Sequence, residues 1–277
     1  MEDVVNSFGC NISPVDLRDY KLDKSLVGKT EFPEKFSAMT NHKVKHQGTV
    51  SSCVPHAVAS ILEFHDDYKT TLSTNFIYGL KNRLYGYKGK GEYIRVALAI
   101  AKNYGSPRKT LCNGNTEVEE VFEIADKAFD NKEVLEDAYR HRIKSYVKLC
   151  DDDDIKYALM NYGPVIISIK WFTGADCDRE TGILVTDRKE LKNYHAVVVY
   201  GWDSDGWLCQ NSWGSLWGKH GLFKLPYDYG IEEAYGLIDD ETLGSDYPEI
   251  IHPVRGSRLL EILFKILNSL INLVLGR

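Results

Sequence analysis

The spacing of apolar residues predicts a buried helix that begins near residue 52. After Ser52, apolar side chains follow the i, i+3, i+4, i+7, i+8 pattern of one helix face. These positions are Val54, Ala57, Val58, Ile61 and Leu62. Ser51 or Ser52 can serve as the N-cap, and Pro55 fits the first turn, where a missing N–H costs nothing. The pattern therefore places Cys53 at the N-terminal end of a largely buried helix.

Helical patterns continue up to about residue 160. Residues 72–84 and 92–104 predict two helices separated by the glycine-rich stretch 85–91, and the charged residues 116–144 also predict helical structure. Four aspartates, 151–154, precede a further helical stretch. We expect them to cap that helix, because acidic side chains stabilise its positive end. Four consecutive carboxylates repel each other, which disfavours the alternative of a metal site, so we expect no metal.

After residue 163 the pattern changes to short apolar runs bounded by Gly, Asp and Pro, which is typical of β-strands. These runs are residues 165–169, 196–200, 207–211 and 221–225. Helices before residue 160 and strands after it predict an α+β protein with two lobes and a ligand site between them. We place the helical lobe at about 46–160 and the β lobe at about 161–245. Residues 1–45 are polar with scattered turn signals and predict an arm that wraps the surface.

The last twenty residues, 258–277, have a different composition. Polar residues recur every three to four positions among apolar ones, as in an amphipathic helix. They are Glu261, Lys265, Asn268, Ser269 and Asn272. So many polar groups disfavour a membrane span. The helix docks on its own body or on a second copy, or it binds a membrane surface or a protein partner.

Charge and cysteine content narrow the function classes. The 277-residue chain has 34 Lys and Arg against 40 Asp and Glu, a net charge of −6, which argues against nucleic acid as a partner. Six cysteines are too sparse for a disulfide scaffold, although their even number keeps that alternative open. The N-terminus lacks the pattern of a secretory signal. We therefore expect free thiols in a cytoplasmic, intracellular or virion location, and no cofactor.

Cys53 has one of the two features that activate a thiol. A helix N-terminus lowers the pKa of a cysteine, and a neighbouring imidazolium lowers it further. His195 opens an apolar strand, and a hairpin through residues 203–206 can bring Asn211, at the end of the next strand, beside it. Trp213 and Trp217 can then screen the pair from water. His56 is close to Cys53 on the same helix, but no third group orients its ring.

Three segments resemble the signature blocks of the papain-like cysteine proteases. They are Gln47-Gly48 with Ser52-Cys53, His195-Ala196-Val197, and Asn211-Ser212-Trp213-Gly214 with Trp217-Gly218. Residues 16–20, 72–73 and 162–165 look like the bacterial and viral branch of this family. The similarity extends from about residue 14 to about residue 240. It implies a papain-like two-lobe α+β fold, with a helical N-terminal lobe, an antiparallel β-rich C-terminal lobe and the active site in the cleft between them.

The resemblance also implies residue roles. Cys53 is the nucleophile, held as a thiolate beside protonated His195, and Asn211 orients the imidazole. Gln47 and the backbone N–H of Cys53 form the oxyanion hole. A further set implied for the substrate cleft is Gly89, Gly91, Trp213 and Trp217.

Some positions depart from the family pattern. Val50 replaces a disulfide cysteine of secreted members, Val54 replaces an aromatic residue in one cleft wall, and Tyr194 replaces a residue that is often acidic. The roughly 45 residues before Gln47 are too few for the long helical pro-segment of secreted relatives. Activity is then either restrained in another way, for which the apolar tail is one candidate lid, or not restrained at all.

The sequence therefore predicts a cysteine endopeptidase that cleaves a polypeptide substrate through Cys53, His195 and Asn211 by way of an acyl-enzyme. Two alternatives remain open. The same three residues could catalyse acyl transfer to a nucleophile other than water. The chain could also be an inactive scaffold with a protease fold that acts through the helix 258–277.

Overall fold

The computed structural model describes residues 7–17, 19–113 and 118–239. The amphipathic helix predicted at residues 258–277 lies outside this part of the chain. Within the described residues, no helix combines the length and apolar character needed to cross a membrane. All six cysteines are free, as the sequence predicts.

Seven α-helices occur in the described part of the chain. They are α1 (Lys24–Val27), α2 (Cys53–His65), α3 (Thr74–Tyr85), α4 (Ile94–Asn103), α5 (Val118–Phe129), α6 (Lys132–Tyr139) and α7 (Asp152–Asn161). The strands are β1 (Cys10–Asn11), β2 (Phe36–Ser37), β3 (Glu92–Tyr93), β4 (Ile143–Leu149), β5 (Val165–Phe172), β6 (Asp176–Cys177), β7 (Leu184–Val185), β8 (Leu191–Asp203), β9 (Gly206–Gln210), β10 (Leu222–Leu225) and β11 (Glu233–Asp239). The α+β class is therefore confirmed.

Helix α2 is the central helix of the helical lobe and begins at Cys53, as its apolar pattern predicts. Its residues are buried as far as Glu63, so both of its faces pack against protein. Ser52 precedes the helix at the N-cap position, but its side chain makes no capping hydrogen bond. The predicted cap is therefore absent, and the Ser52 hydroxyl instead donates to the carbonyl of Val50 at 3.4 Å.

The predicted helical stretch 116–144 is two helices, α5 and α6, followed by a strand. Asn131 interrupts the stretch and caps α6, because its side-chain oxygen accepts hydrogen bonds from the backbone of Glu133 and Val134. Strand β4 begins at Ile143 and pairs antiparallel with β11, so the helical lobe region also supplies a strand to the main sheet. The division into helices before residue 160 and strands after it is wrong at this point.

The β lobe contains a sheet with the strand order β10-β9-β8-β5-β11-β4, and β2 pairs with β8 beside it. All these pairs are antiparallel. Strands β8 and β9 form the predicted hairpin, with Asp203 opposite Gly206 and Val198 opposite Gln210. Its register brings the ends of the two strands together, which positions the candidate site.

The aspartate run acts as a helix cap, as predicted. Asp151 precedes α7, and its side chain accepts a hydrogen bond from the backbone N–H of Asp154 at 3.0 Å. Lys24 pairs with both carboxylates, at 2.7 Å from Asp151 and 2.5 Å from Asp154. The N-terminal end of α7 and the ammonium group of Lys24 therefore stabilise the carboxylates of Asp151 and Asp154.

Candidate active site

Cys53 lies where the helical lobe meets the β lobe. Its side chain is fully buried at the first residue of α2. The backbone N–H of Ala196, in strand β8, donates to the Cys53 sulfur over 3.4 Å. A helix end from one lobe and a strand from the other are thus in direct contact at the sulfur.

The hairpin brings Asn211 to the ring of His195. The Nε2 atom of His195 lies 2.8 Å from Oδ1 of Asn211. The backbone N–H of Ser212 donates to the same oxygen at 2.7 Å, which identifies this atom as the amide oxygen. Because an oxygen can only accept, Nε2 of His195 carries the proton, and Nδ1 is the unprotonated nitrogen of the neutral ring.

The Nδ1 atom of His195 is buried and has no hydrogen-bond partner within residues 7–17, 19–113 and 118–239. The next residue along the chain, Ala196, contacts the Cys53 sulfur. With Nε2 bonded to Asn211, Nδ1 is the ring nitrogen available to take a proton from the thiol.

Aromatic side chains enclose the imidazole. Trp213 stacks on His195 with 4.6 Å between ring centroids, and Trp171 meets it edge-on at 5.4 Å. Trp217 lies behind Trp213, at 5.2 Å. Trp213 therefore screens the pair as the sequence predicts, whereas Trp217 forms a second layer. Sequence reasoning missed Trp171, which follows the apolar alternation of its strand two residues beyond the predicted end.

Gln47 and Trp213 together hold one carbonyl oxygen. The Nε2 atom of Gln47 donates to the carbonyl of Ser7 at 3.1 Å, and the indole N–H of Trp213 donates to the same oxygen at 3.1 Å. The side-chain oxygen of Gln47 accepts from the hydroxyl of Ser212 at 2.6 Å, which orients the amide. The site therefore binds a carbonyl oxygen, and residue 7 of the same chain occupies it.

Residues 7–13, which we call the strap, run through the groove between the lobes. The Phe8 ring meets His195 edge-on at 5.7 Å, and the backbone N–H of Gly9 faces the sulfur of Cys53, where it lowers the pKa of the thiol against the larger effect of burial. A side chain at Gly9 would overlap the backbone carbonyl of Ser51, so this close approach requires glycine. The polar arm predicted on the surface is thus partly buried in the groove.

The strap contacts both lobes. Cys10 pairs with Glu92 as parallel strands, and the backbone N–H of Glu92 donates to the carbonyl of Gly9 at 2.8 Å. On the other side, the backbone N–H of Ser13 donates to the carboxylate of Glu233 at 3.1 Å. Sequence reasoning missed these contacts, because no periodic pattern in residues 7–13 signals a buried strand.

Burial under the strap changes the protonation of the candidate pair. It raises the pKa of Cys53 to about 12 and lowers the pKa of His195 to about 4, because both charged forms lose water. No hydrogen bond joins Cys53 to His195 within the described residues. In this closed arrangement burial therefore opposes the thiolate–imidazolium pair that the resemblance implies.

Only one of the two predicted cleft glycines lies beside the strap. Gly91 has a φ of 76°, and a Cβ atom there would lie 2.9 Å from the carbonyl oxygen of Gly9. Gly89 instead packs against the ring of Tyr87, and its carbonyl accepts from Lys81 at 2.8 Å.

His56 is not part of the cluster around Cys53. Its Nδ1 atom lies 2.7 Å from the carbonyl oxygen of Ser52, and burial lowers the pKa of its imidazole to about 3. The imidazole is therefore a neutral core group, which agrees with the sequence argument that nothing orients it toward the thiol.

Comparisons with known proteins identify the family of this chain. Residues 32–237 match the family described as papain family cysteine protease. An uncharacterized peptidase C1-like protein of Acanthamoeba polyphaga mimivirus is 27% identical over 233 residues, which cover 75% of this chain and 70% of that protein. The cathepsin B-like cysteine proteinase 1 of Haemonchus contortus is 35% identical over 98 residues, or 32% of this chain and 28% of that protein.

Solved structures show the same fold. Xylellain, a cysteine protease from Xylella fastidiosa, has a TM-score of 0.70 at 21% identity, covering 84% of this chain and 96% of that one. A digestive procathepsin L of the Tenebrio molitor larval midgut has a TM-score of 0.59 at 20% identity, covering 80% and 74%. The two-lobe papain-like α+β architecture expected from the signature segments is therefore confirmed.

Proposed function

Because this chain belongs to the papain family of cysteine proteases and is a cysteine peptidase, we propose that it cleaves internal peptide bonds with Cys53 as nucleophile. One observation carries the proposal. The side-chain oxygen of Asn211 lies 2.8 Å from Nε2 of His195, and the buried Nδ1 of the same ring has no partner in the described part of the chain. His195 directly precedes Ala196, whose backbone N–H donates to the sulfur of Cys53.

The chemistry follows from the positions of these groups. His195 Nδ1 takes the thiol proton of Cys53, and the resulting thiolate attacks the substrate carbonyl carbon. The protonated imidazole then gives its proton to the leaving amine, which releases the C-terminal product and leaves an acyl-enzyme. His195 next activates a water molecule that hydrolyses the thioester. Asn211 acts as a positioning residue, because it touches the imidazole and not the substrate.

The carbonyl site supports this assignment. Gln47 and Trp213 already donate hydrogen bonds to one carbonyl oxygen, that of Ser7. The same donors can stabilise the negative oxygen of a tetrahedral intermediate. Losing one such donor typically costs about 2.7–4 kcal/mol of transition-state stabilisation. The proposed oxyanion site is therefore Gln47 with the backbone N–H of Cys53, and Trp213 contributes a further donor.

The strap makes the described arrangement a latent one. It covers Cys53 and presents the N–H of Gly9 to the sulfur, which is a hydrogen-bond donor and not an electrophilic carbon. A substrate must therefore displace residues 7–13 before it can reach the thiol. This internal strap supplies the restraint that the sequence does not reveal.

Peptide hydrolysis and active-site labelling test the proposal. The full-length protein should cleave fluorogenic peptides, and an epoxide thiol trap should label Cys53. Cys53→Ala should lower kcat/KM by at least about 1000-fold, because it removes the nucleophile. Cys150→Ala, which removes an exposed thiol, should retain the activity. No turnover together with no labelling at residue 53, from pH 5 to 8, would overturn the proposal.

Mass spectrometry of the products separates hydrolysis from acyl transfer. With an added amine in the reaction, hydrolysis gives a free carboxylate, whereas acyl transfer gives an amide of the added compound. A peptidase should yield mainly the carboxylate. The scaffold alternative predicts a different result. Cys53→Ala would then leave the phenotype unchanged, whereas deletion of residues 258–277 would abolish it.

A further inference from the structure

Lys81, in helix α3, is a lysine with no exposed surface. Its Nζ atom lies 3.7 Å from the ring centroid of Tyr78, 4.9 Å from that of Tyr87 and 5.7 Å from that of Phe122. Burying an ammonium group is costly unless partners replace the lost water, and aromatic faces supply part of this compensation. The three rings therefore form a cage around the Lys81 ammonium group.

The N–H groups of Lys81 are directed at the backbone of a single loop. Lys81 donates to the carbonyl oxygen of Gly89 at 2.8 Å and also to the carbonyl oxygen of Gly91. Both glycines belong to residues 86–91, which connect α3 to β3 and which we call the wall loop. A buried cation in the helical lobe thus holds two carbonyl groups of this loop.

The charge of Lys81 is retained at neutral pH. Burial lowers the pKa of Lys81 to about 8, and the nearby carboxyl group of Glu92 opposes this shift. The amine is therefore mostly protonated and keeps three N–H donors. Within the described residues Lys81 forms no ion pair with Glu92, so its donors serve the carbonyl groups of the wall loop.

The wall loop also contacts the strap. A Cβ atom at Gly91 would lie 2.9 Å from the carbonyl oxygen of Gly9. The side-chain nitrogen of Asn11 donates to the hydroxyl of Tyr87 at 2.8 Å and to the carbonyl of Lys90 at 3.3 Å. These strap contacts are lost when a substrate displaces residues 7–13. The contacts that the ammonium group makes lie within the helical lobe, and they remain.

The cage extends to the segment that precedes the nucleophile. Val50, Tyr78 and Val121 form one buried cluster, and the ring of Phe122 packs against it. Val50 lies three residues before Cys53, at the position where secreted relatives have a disulfide cysteine. All six cysteines of this chain are free. The connection from this segment through the cage to the wall loop is therefore noncovalent.

Building on the proposed function, we propose that Lys81 is a positioning residue for substrate binding, whose ammonium group holds the wall loop in place as one side of the open groove. The strap pairs with this side through Cys10 and Glu92, so an extended peptide that replaces the strap meets the same backbone. A loop that is already fixed avoids the ordering cost that a flexible loop pays on binding. Because Lys81 is buried and acts through the loop, its loss should change KM and not kcat.

Peptide kinetics in a protein with a displaced strap test this role. Gly9→Val displaces the strap, because its side chain overlaps the carbonyl of Ser51. In this background Lys81→Met should raise KM at least about fivefold and change kcat less than about twofold, since methionine fills the cage but has no N–H donor. Lys127→Met is the matched control and should leave both constants unchanged, because Lys127 is an exposed lysine of α5 that pairs with Glu123 on the surface.

Iodoacetamide labelling of Cys53 in the same background separates the wall loop from the thiol. Lys81→Met should not change the labelling rate, because the small reagent makes no use of the loop. A lower kcat at unchanged KM would contradict a positioning role in binding. Equal increases of KM in Lys81→Met and Lys127→Met would also overturn the proposal, and so would an unchanged KM in Lys81→Met.

Trypsin digestion examines the wall loop directly and requires no turnover. Lys88 and Lys90 are exposed residues of this loop, and trypsin cleaves after lysine. In the Cys53→Ala background, which excludes self-cleavage, Lys81→Met should accelerate cleavage at these two residues about tenfold, because the loop loses its internal anchor. Lys127→Met should leave the cleavage rate at both residues unchanged.

The distribution of trypsin cleavage decides the outcome. Acceleration confined to the wall loop supports the proposal. Equal acceleration throughout the chain would show that Lys81→Met weakens the whole fold, and unchanged cleavage of the loop would show that Lys81 does not hold it; either result overturns the proposal. A protein with neither turnover nor labelling of Cys53 would instead refute the proposed function, and the trypsin experiment would still decide the role of Lys81.

Discussion

The cluster around Cys53 and the buried carboxylates of Glu92 and Glu233 lie under the same strap, but they differ in whether a hydrogen bond fixes the titratable group. In the cluster, Asn211 receives hydrogen bonds from His195 and from the backbone of Ser212. Beside Cys10, three carboxylate oxygens of Glu92 and Glu233 have no hydrogen-bond partner in the described part of the chain. The fold fixes the His195 ring through the Asn211 oxygen and leaves Nδ1 of His195 and Nδ2 of Asn211 without partners in the described residues, whereas it leaves three of the four oxygens of Glu92 and Glu233 without a hydrogen bond there.

This difference separates positioning from recognition. Groups that the protein satisfies internally keep their geometry whether or not a substrate is present, as a proton-transfer pair requires. Buried acceptors without partners are costly, and a ligand that supplies donors removes this cost. We therefore expect changes in the cluster to alter the rate for every peptide.

The strongest test of this distinction within the positioning cluster is Asn211→Ala. Loss of the oxygen that holds His195 Nε2 should lower kcat about 100-fold for basic and apolar peptides alike, with little change in KM. Asn193→Ala is the matched control, because Asn193 is an exposed residue in the same strand as His195. A loss restricted to basic peptides would contradict the assignment of Asn211 to positioning.

A weaker effect, in the opposite direction, is expected from Gly9→Val. The added side chain overlaps the carbonyl of Ser51 and should displace the strap, which raises the rate of Cys53 labelling by about tenfold or more. Val15→Ala, at an 86% exposed position of the same N-terminal segment, should leave the rate unchanged. Because the strap covers both regions, Gly9→Val should also increase turnover of every peptide. An unchanged labelling rate would show that the strap does not limit access.

The pH dependence of Cys53 alkylation tests whether the strap determines the pKa of the thiol. Burial raises the pKa of Cys53 to about 12, so its thiolate form, and with it the alkylation rate, should stay low until strongly alkaline pH. Displacing the strap by Gly9→Val should restore water to the sulfur and shift the profile to lower pH by more than about one unit. Iodoacetamide labelling followed by mass spectrometry measures this, with the exposed thiol of Cys150 as internal reference. Identical profiles in the two proteins would contradict a pKa set by the strap.

The smallest effect is expected outside the groove, at the Asp151 side chain, which has its hydrogen-bond partner within the protein. Asp151→Ala removes the cap of α7 and should lower the free energy of unfolding by about 1 kcal/mol, without changing kcat/KM for any peptide. Urea denaturation measures the loss. Asp153→Ala, an exposed residue of the same first turn, should cost less. A change in peptide preference would show that satisfied polar groups remote from the groove also control recognition.

Local patterns predict much of the candidate site. The apolar spacing after Ser52 places Cys53 at a helix end, and the turn residues 203–206 predict the hairpin that joins His195 to Asn211. Both features depend on short-range periodicity and turn chemistry, which adjacent residues determine. The same local logic predicts the cap at Asp151.

Local patterns do not predict the strap or the buried carboxylates beside Cys10. Phe8 and Gly9 lie in a polar arm with no periodicity, and their burial depends on a groove formed by residues far along the chain. Glu92 and Glu233 are ordinary charged residues in the sequence. Their burial, and the raised pKa of each carboxyl group that follows from it, exist only after the two lobes have packed together.

The sequence by itself determined the two-lobe class, the helix end at Cys53 and the hairpin that pairs an imidazole with a carboxamide. These depend on hydrogen bonds and apolar faces within short stretches of chain. The tertiary structure decided that residues 7–13 close the groove, that burial opposes charge on the thiol and the imidazole there, and that three oxygens of Glu92 and Glu233 have no hydrogen bond within the described residues. Desolvation decides these properties, and it depends on which distant segments exclude water from each group.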